Sequence, residues 1–188
     1  MKTFLSALRL VVALSLLTGV AYPAFVTLGA RLMPAQADGS LVERDGKVVG
    51  SRLIQQAFSQ PKYFRGRPSV SDFTKPDGLL GTCGSHLAPG DARLREAVDK
   101  RRAEVLAFEG LPAGTEIPVD LLLASASGVD PAISPESAAF QAPRVARIRG
   151  VPLEKVKALI ADNTVSGGLF GPPCVNVLGL NLALDAAK

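Results

Sequence analysis

Tryptophan is absent from this sequence, histidine occurs once and cysteine twice in 188 residues. A structural zinc site takes about four nitrogen or sulfur ligands. Cys83 and His86 have ligand-like spacing, but the only other cysteine, Cys174, is remote in sequence. The simpler reading is a small apolar cysteine beside a loop histidine. The two cysteines could join only in an oxidising compartment. Both sit in loop-rich segments with nothing to bring them together, so they are expected to remain thiols.

Charge of one sign is equally scarce. Lysine and arginine total 21 against 17 acids, and aromatic residues make up 5%. Residues 1–30 hold Lys2 and Arg9 and no acid, which leaves the remainder close to balance. The longest basic run is Lys100-Arg101-Arg102. A nearly balanced domain with few aromatics lacks the electrostatic footprint of a nucleic-acid binder. With 47% hydrophobic residues the chain can still bury a core, so disorder is excluded as well.

The usual catalytic motifs are missing too. No Walker A loop and no G-x-G-x-x-G fingerprint is present. Ser125 and Ser127 follow an apolar run, as a nucleophile elbow would, yet neither has glycine two residues before it. Ser59 and Lys62 match S-x-x-K by letter, but Pro61 breaks the helical turn that would bring them together. Asp120, Asp130 and Glu136 show no pairing. Asp130-Pro131 reads as a turn and Ser134 as a helix cap. A chemistry of its own, and a cofactor of its own, are not expected.

What the chain does have is a long hydrophobic run. Leu10–Ala30 carries no formal charge over 21 residues, about 30 Å as a helix, which matches a bilayer core. Lys2 and Arg9 precede it and Arg31 follows. Gly19, Pro23 and Gly29 suit a membrane helix better than a soluble one. Gly19, with Ser15 and Thr18, forms a small-residue face that another helix could approach. Ala35-Gln36-Ala37 resembles a signal-peptidase site, but the run exceeds the usual length of a signal peptide's apolar region. The chain therefore divides into a flank at 1–9, a membrane span at 10–32 and one extramembrane domain at 33–188. Lys2 and Arg9 favour a cytoplasmic N-terminus and an extracytoplasmic domain.

The domain reads as α+β. Asp45-Gly46 should turn a hairpin between 40–43 and 47–49. Ser51 is expected to cap a helix bearing Leu53, Ile54, Ala57 and Phe58. Residues 61–90 are rich in proline and glycine and read as a loop that is either a functional surface or mobile. Asp91 should cap a helix that ends before Gly110, with Leu94, Val98, Val105 and Phe108 as its apolar stripe. The run 117–124 is either a buried strand or a helix start. Ser134 and Pro135 open a further helix that Pro143 should kink or restart. Pro152 opens another, with Leu153, Val156, Leu159 and Ile160 on one face. The alternation over 175–184 reads first as a strand, in which any buried asparagine needs a partner.

Three segments then stand out together. The first runs from Gly50-Ser51 through Leu53-Ile54-Gln55-Gln56 to Tyr63-Phe64-Arg65-Gly66-Arg67-Pro68-Ser69. The second comprises Ala124-Ser125-Ala126-Ser127-Gly128-Val129-Asp130-Pro131, Ile133-Ser134-Pro135 and Gln141-Ala142-Pro143-Arg144-Val145-Ala146-Arg147. The third joins Val175-Asn176-Val177-Leu178 to Leu180-Asn181-Leu182-Ala183-Leu184-Asp185. In this order behind an N-terminal anchor, they resemble the KdpC family, the C subunit of the Kdp potassium-transporting P-type ATPase.

The resemblance implies an accessory subunit of an ATP-driven, high-affinity potassium import complex in a bacterial inner membrane. Its partners would be a channel-like potassium-binding subunit and an ATP-hydrolysing pump subunit. The family has been regarded as a catalytic chaperone that raises the pump's ATP affinity, with the glutamine here numbered Gln141 touching the nucleotide. An extracytoplasmic domain would not meet ATP, so a packing role for Gln141 competes with that reading. Partner-contact candidates are Gly19 in the span and Tyr63, Phe64, Arg67, Ser127 and Asp130 in the first two segments. Ser85-His86-Leu87-Ala88-Pro89 departs from the family's usual Ser-Asn-Leu-Gly-Pro. The rival functions are a processed, secreted serine hydrolase using Ser125 or Ser127, and a periplasmic binding protein.

Overall fold

The computed structural model describes residues 1–70, 83–169 and 171–187. It divides into two compact units, Met1–Leu41 and Val42–Lys188. Part of the loop expected over 61–90 lies outside the described residues.

The first unit is dominated by one 29-residue helix, α1 (Lys2–Ala30), long and apolar enough to cross a membrane by length and composition. It starts well before the uncharged run because Lys2–Arg9 contains no helix breaker. Its side chains are exposed throughout, with Leu28 at 71% and Phe25 at 77%. Pro23 has no N–H to give to the carbonyl four residues back. The helix widens just before it into a π turn at Leu17–Ala21, where the Tyr22 N–H donates to the Leu17 carbonyl. A single helical turn, Pro34–Ala37, follows.

The second unit is α+β, as its patterning predicts. It opens with the hairpin β1 (Leu41–Arg44) and β2 (Lys47–Ser51), with Asp45 and Gly46 both at positive φ in the turn. Next among the regular elements is α2 (Ala92–Glu109). The Asp91 carboxylate accepts from the Arg93 N–H at its start, and Gly110 closes it in the left-handed conformation. Its expected stripe is only half-buried. The deepest residues are Leu106 and Glu109, because the last turn packs on Leu121, Leu122 and Arg144 rather than on solvent.

The core is built by two helices on a small sheet. The helix α3 (Pro135–Arg149) carries small residues inward, Ala138, Ala142 and Ala146 beside Val145, so a neighbour can come close. Gly150 turns the chain into α4 (Leu153–Asp162), which buries Val156 and Ile160. Three short strands, β3 (Ala132–Ile133), β4 (Thr164–Val165) and β5 (Cys174–Asn176), form an antiparallel sheet in the order β3-β5-β4. Ile133 lies opposite Val175, which lies opposite Thr164. Finally α5 (Val177–Ala186) lays Val177, Leu180 and Leu184 onto the same core.

Three expectations are corrected and one is narrowed. No helix follows Ser51; the chain from Arg52 to Ser59 is turn and coil. The Ser51 hydroxyl accepts from the Leu53 N–H, and the Gln55 N–H goes to the Val129 carbonyl, so tertiary partners replace helical ones. The run 117–124 is neither strand nor α-helix but a 3-10 turn at Val119–Leu121. Asp120 shapes it by accepting from the Ser134 N–H at 2.7 Å and from the Ser134 and Ser137 hydroxyls. Of the two outcomes expected at Pro143, a restart is absent: one helix runs through it, with Pro143 exposed on its outer face. The tail is a strand only through Asn176, whose side chain caps α5 by accepting from the Gly179 N–H.

Candidate functional site

Residues 52–69, the connector between the hairpin and the rest of the domain, contain no strand or helix. Its buried backbone groups still need partners. Side chains of α3 and α5 supply them. Asn181, 1% exposed, accepts from the Phe64 N–H and donates to the Phe64 carbonyl, both at 2.9 Å. Gln141, also 1% exposed, does the same at Arg65, accepting at 2.8 Å and donating at 3.1 Å. Two carboxamides from different helices thus replace a neighbouring strand at consecutive residues. A carboxamide fits because it presents one donor and one acceptor side by side, as a peptide does.

Arg144, three residues beyond Gln141 on the same helical face, ties the connector further. Its guanidinium donates to the Tyr63 carbonyl at 3.0 Å, to the Pro61 carbonyl and to the Gln141 Oε1 at 3.1 Å. Its Nε meets the Glu109 carboxylate at 3.0 Å in a pair almost wholly removed from solvent. Burial pushes the Glu109 carboxyl above its ordinary value despite the Arg144 charge, and pushes the Arg144 guanidinium below its own. The Phe108 ring lies 4.4 Å from the Arg65 guanidinium and 4.7 Å from that of Arg144.

Asp185 makes a second junction near the end of α5. It accepts from Arg44 at 2.7 Å, from Arg149 at 2.8 Å and from the Tyr63 hydroxyl at 3.1 Å. Burial alone would raise its carboxyl, but the hydrogen bonds from Arg149, Arg44 and Tyr63 outweigh it and hold the group below its ordinary value. Hairpin, connector, α3 and α5 all meet at this one side chain.

The partner-contact candidates fall into different environments. Tyr63 belongs to the Asp185 junction. Phe64 is fully buried in the core. Arg67 donates to Asp130 at 2.9 Å, and Asp130 also accepts from the Ala132 N–H, so this pair braces the connector against the second segment. Ser127 is exposed; its hydroxyl lies 3.1 Å from that of Ser125 and accepts from the Val129 N–H. Ser125 is buried and accepts from the Gly128 N–H, and among the described residues neither serine is bonded to His86. Gly19 lies in the π turn, and a Cβ there would meet nothing within 4 Å. Cys83 and Cys174 are both free thiols.

A cleft of 380 Å³ opens between the connector and α2. Arg65, Arg67 and Arg101 line it, Glu104 and Phe108 face it from α2, and Gln141 forms part of its wall. Among the described residues no group of three His, Cys, Asp or Glu could hold a metal. Sequence reasoning missed Arg65, Arg144, Asn181 and Asp185 as organising residues. The available signals were an arginine three residues from Gln141 and an asparagine inside an apolar tail.

The three segments singled out in the sequence are therefore the ones that bind each other. The connector comes from the first, its clamps from the second and third. A family model described as K+-transporting ATPase, c chain, matches residues 4–186. The Potassium-transporting ATPase KdpC subunit of Rhodopseudomonas palustris is 44% identical over 205 residues, spanning 100% of both chains. That of Ralstonia nicotianae is 50% identical over 187 residues, covering 97% of this chain and 90% of its own. That of Polaromonas naphthalenivorans is 52% identical over 185 residues, covering 97% and 93%.

Proposed function

The chain belongs to the KdpC family, and we propose that it serves as a non-catalytic accessory subunit of an ATP-driven potassium import complex. The observation that carries this reading is the extent of the match, residues 4–186, which takes in the apolar helix and the α+β domain alike. Among the described residues one helix is long and apolar enough to cross a membrane, which fits a single-pass protein of the bacterial inner membrane. Lys2 and Arg9 at its start favour a cytoplasmic N-terminus, with the domain on the other side. The partners are a channel-like potassium-binding subunit and an ATP-hydrolysing pump subunit, and the domain acts by assembling or stabilising them.

Gln141 serves this function by organising the connector. A nucleotide contact would require a free donor or acceptor on its carboxamide. Oε1 accepts from the Arg65 N–H and from Arg144, and one Nε2 N–H donates to the Arg65 carbonyl, which leaves the second N–H of a side chain only 1% exposed. A nucleotide would have to reach that one buried N–H or displace the clamp.

Gln141→Ala in the assembled complex distinguishes the two roles. The domain should lose about 1–3 kcal/mol of stability, because the N–H and carbonyl of Arg65, in part-buried hydrogen bonds, lose their partner. Recovery of the complex should fall while the apparent ATP affinity of what assembles stays unchanged. A loss of ATP affinity in fully assembled, normally stable complex would assign Gln141 to the nucleotide instead.

A further inference from the structure

The Asp185 junction joins parts that grip it unequally. Arg149 belongs to the body of the domain: its side chain is 10% exposed, and it also donates to the Lys62 carbonyl at 2.8 Å. Tyr63 is half-buried in the connector. Arg44 comes instead from the hairpin, and its side chain is 46% exposed. The hairpin itself is thinly covered. Its strands form a two-stranded sheet of their own. Leu41, Val48 and Val49 are exposed, and only Val42, Gly50 and Ser51 of the two strands are covered. A two-stranded hairpin is marginally stable alone in water, so this one depends on how it docks.

Both members of the Arg44–Asp185 pair keep a partner when it opens. Asp185 retains Arg149 at 2.8 Å and the Tyr63 hydroxyl at 3.1 Å, so no covered charge is stranded. Arg44 has water and the exposed Asp45 carboxylate, 4.0 Å from its Nε. The Arg144–Glu109 pair is the opposite case: both members are almost wholly buried, and opening it strands a charge. Salt also screens a partly exposed pair far more than a buried one. We propose that the hairpin is a strap, latched onto the domain by Arg44 and Asp185 and released by rising ionic strength. Its place in the chain, between the membrane helix and the connector, gives the latch a role. Latched, the hairpin passes a pull from the helix to α5 through Asp185. Released, it passes the same pull to Arg52, whose carbonyl the Asn176 side chain holds at 2.8 Å, and so to the start of the connector.

Hydrogen–deuterium exchange of the full chain in detergent, read peptide by peptide, tests the latch. Amides over 41–51 should exchange about tenfold sooner than those over 135–149 and 177–186, because the strap opens while the domain stays folded. Raising the salt from about 0.02 M to about 0.5 M should speed exchange over 41–51 about threefold, with sodium and potassium chloride alike. Arg44→Gln should speed it about fivefold at low salt and abolish the response to salt. Arg44→Lys, which keeps the charge, should fall between. Lys47→Gln, the same charge change on the other strand, should behave as the wild type; an equal acceleration there would reduce the effect to the hairpin's overall charge and overturn the proposal. Exchange over 41–51 that keeps pace with 177–186 would overturn it too, since the hairpin would then open only with the domain. So would identical exchange in the wild type and Arg44→Gln, or a salt response that survives in Arg44→Gln. If Arg44→Gln loses protection over 177–186 within the same seconds, the pair supports the whole fold and is no latch.

Discussion

The helix α1 and the connector at 52–69 solve opposite halves of the same problem. In α1 the backbone is satisfied within the helix apart from the break at Pro23, while the side chains face outward and the Thr18 hydroxyl bonds only to the helix's own Leu14 carbonyl. In the connector the backbone makes no regular structure, and side chains from elsewhere satisfy it. The first arrangement is complete as a backbone and incomplete as a surface, as suits a segment whose solvent is lipid. The second exists only when the rest of the domain is folded. Damage should therefore spread from the connector's clamps into the whole domain, whereas damage to α1 should stay out of it.

Removing Arg144 breaks the clamp side most severely. Arg144→Met leaves Glu109 buried without its counter-charge and withdraws donors from Pro61, Tyr63 and Gln141. A loss of about 3–5 kcal/mol is expected, read as a lower urea midpoint of the full chain. Adding Glu109→Gln should recover part of it, because the uncompensated charge is then gone. If the single variant unfolds at the wild-type midpoint, the connector does not depend on this arginine.

That contrast also explains what the sequence could reveal. Both ends of α2 and the start of α3 are marked locally, by Asp91 and Gly110 and by Ser134-Pro135, so they were legible from residues a few positions apart. The hairpin was legible from Asp45-Gly46 for the same reason. The clamps were not. Gln141 reaches a residue 76 positions away and Asn181 one 117 positions away, and no local rule links such pairs. The helix expected after Ser51 failed on this point: its propensity was real, but distant partners claimed its backbone. The tail misled differently. Val177, Leu180 and Leu184 follow a helical period, which the alternation before them obscured. Asn176 marked where one pattern gives way to the other.

Acid should sharpen the comparison with a smaller effect. The Asp185 carboxyl lies below its ordinary value in the folded chain. Such a group adds stability above its unfolded pKa, near 4, and that contribution disappears as pH falls through the folded pKa. The wild-type domain should therefore lose stability between about pH 5 and about pH 2 partly through Asp185. Asp185→Asn should start less stable at neutral pH and show a shallower decline over that window. Urea midpoints measured at several pH values read both effects. Parallel curves for the two proteins would mean that Arg44, Arg149 and Tyr63 give Asp185 no preference for its charged form.

The smallest effect on domain stability is expected from Gly19→Leu in α1. A Cβ at Gly19 meets nothing within 4 Å, so the chain leaves open space where a side chain would start. Leucine is also the better helix former, by about 1 kcal/mol. The domain's urea midpoint should stay where it is. In a bilayer the same change fills the small-residue face formed with Ser15 and Thr18, where a neighbouring helix needs close backbone approach. Co-purification with partner subunits in mild detergent should therefore drop while the domain remains intact. A drop in domain stability would break the comparison, since it would tie α1 to a fold it is held here not to support. Unchanged co-purification would leave the comparison standing and show that α1 meets its partners through another face.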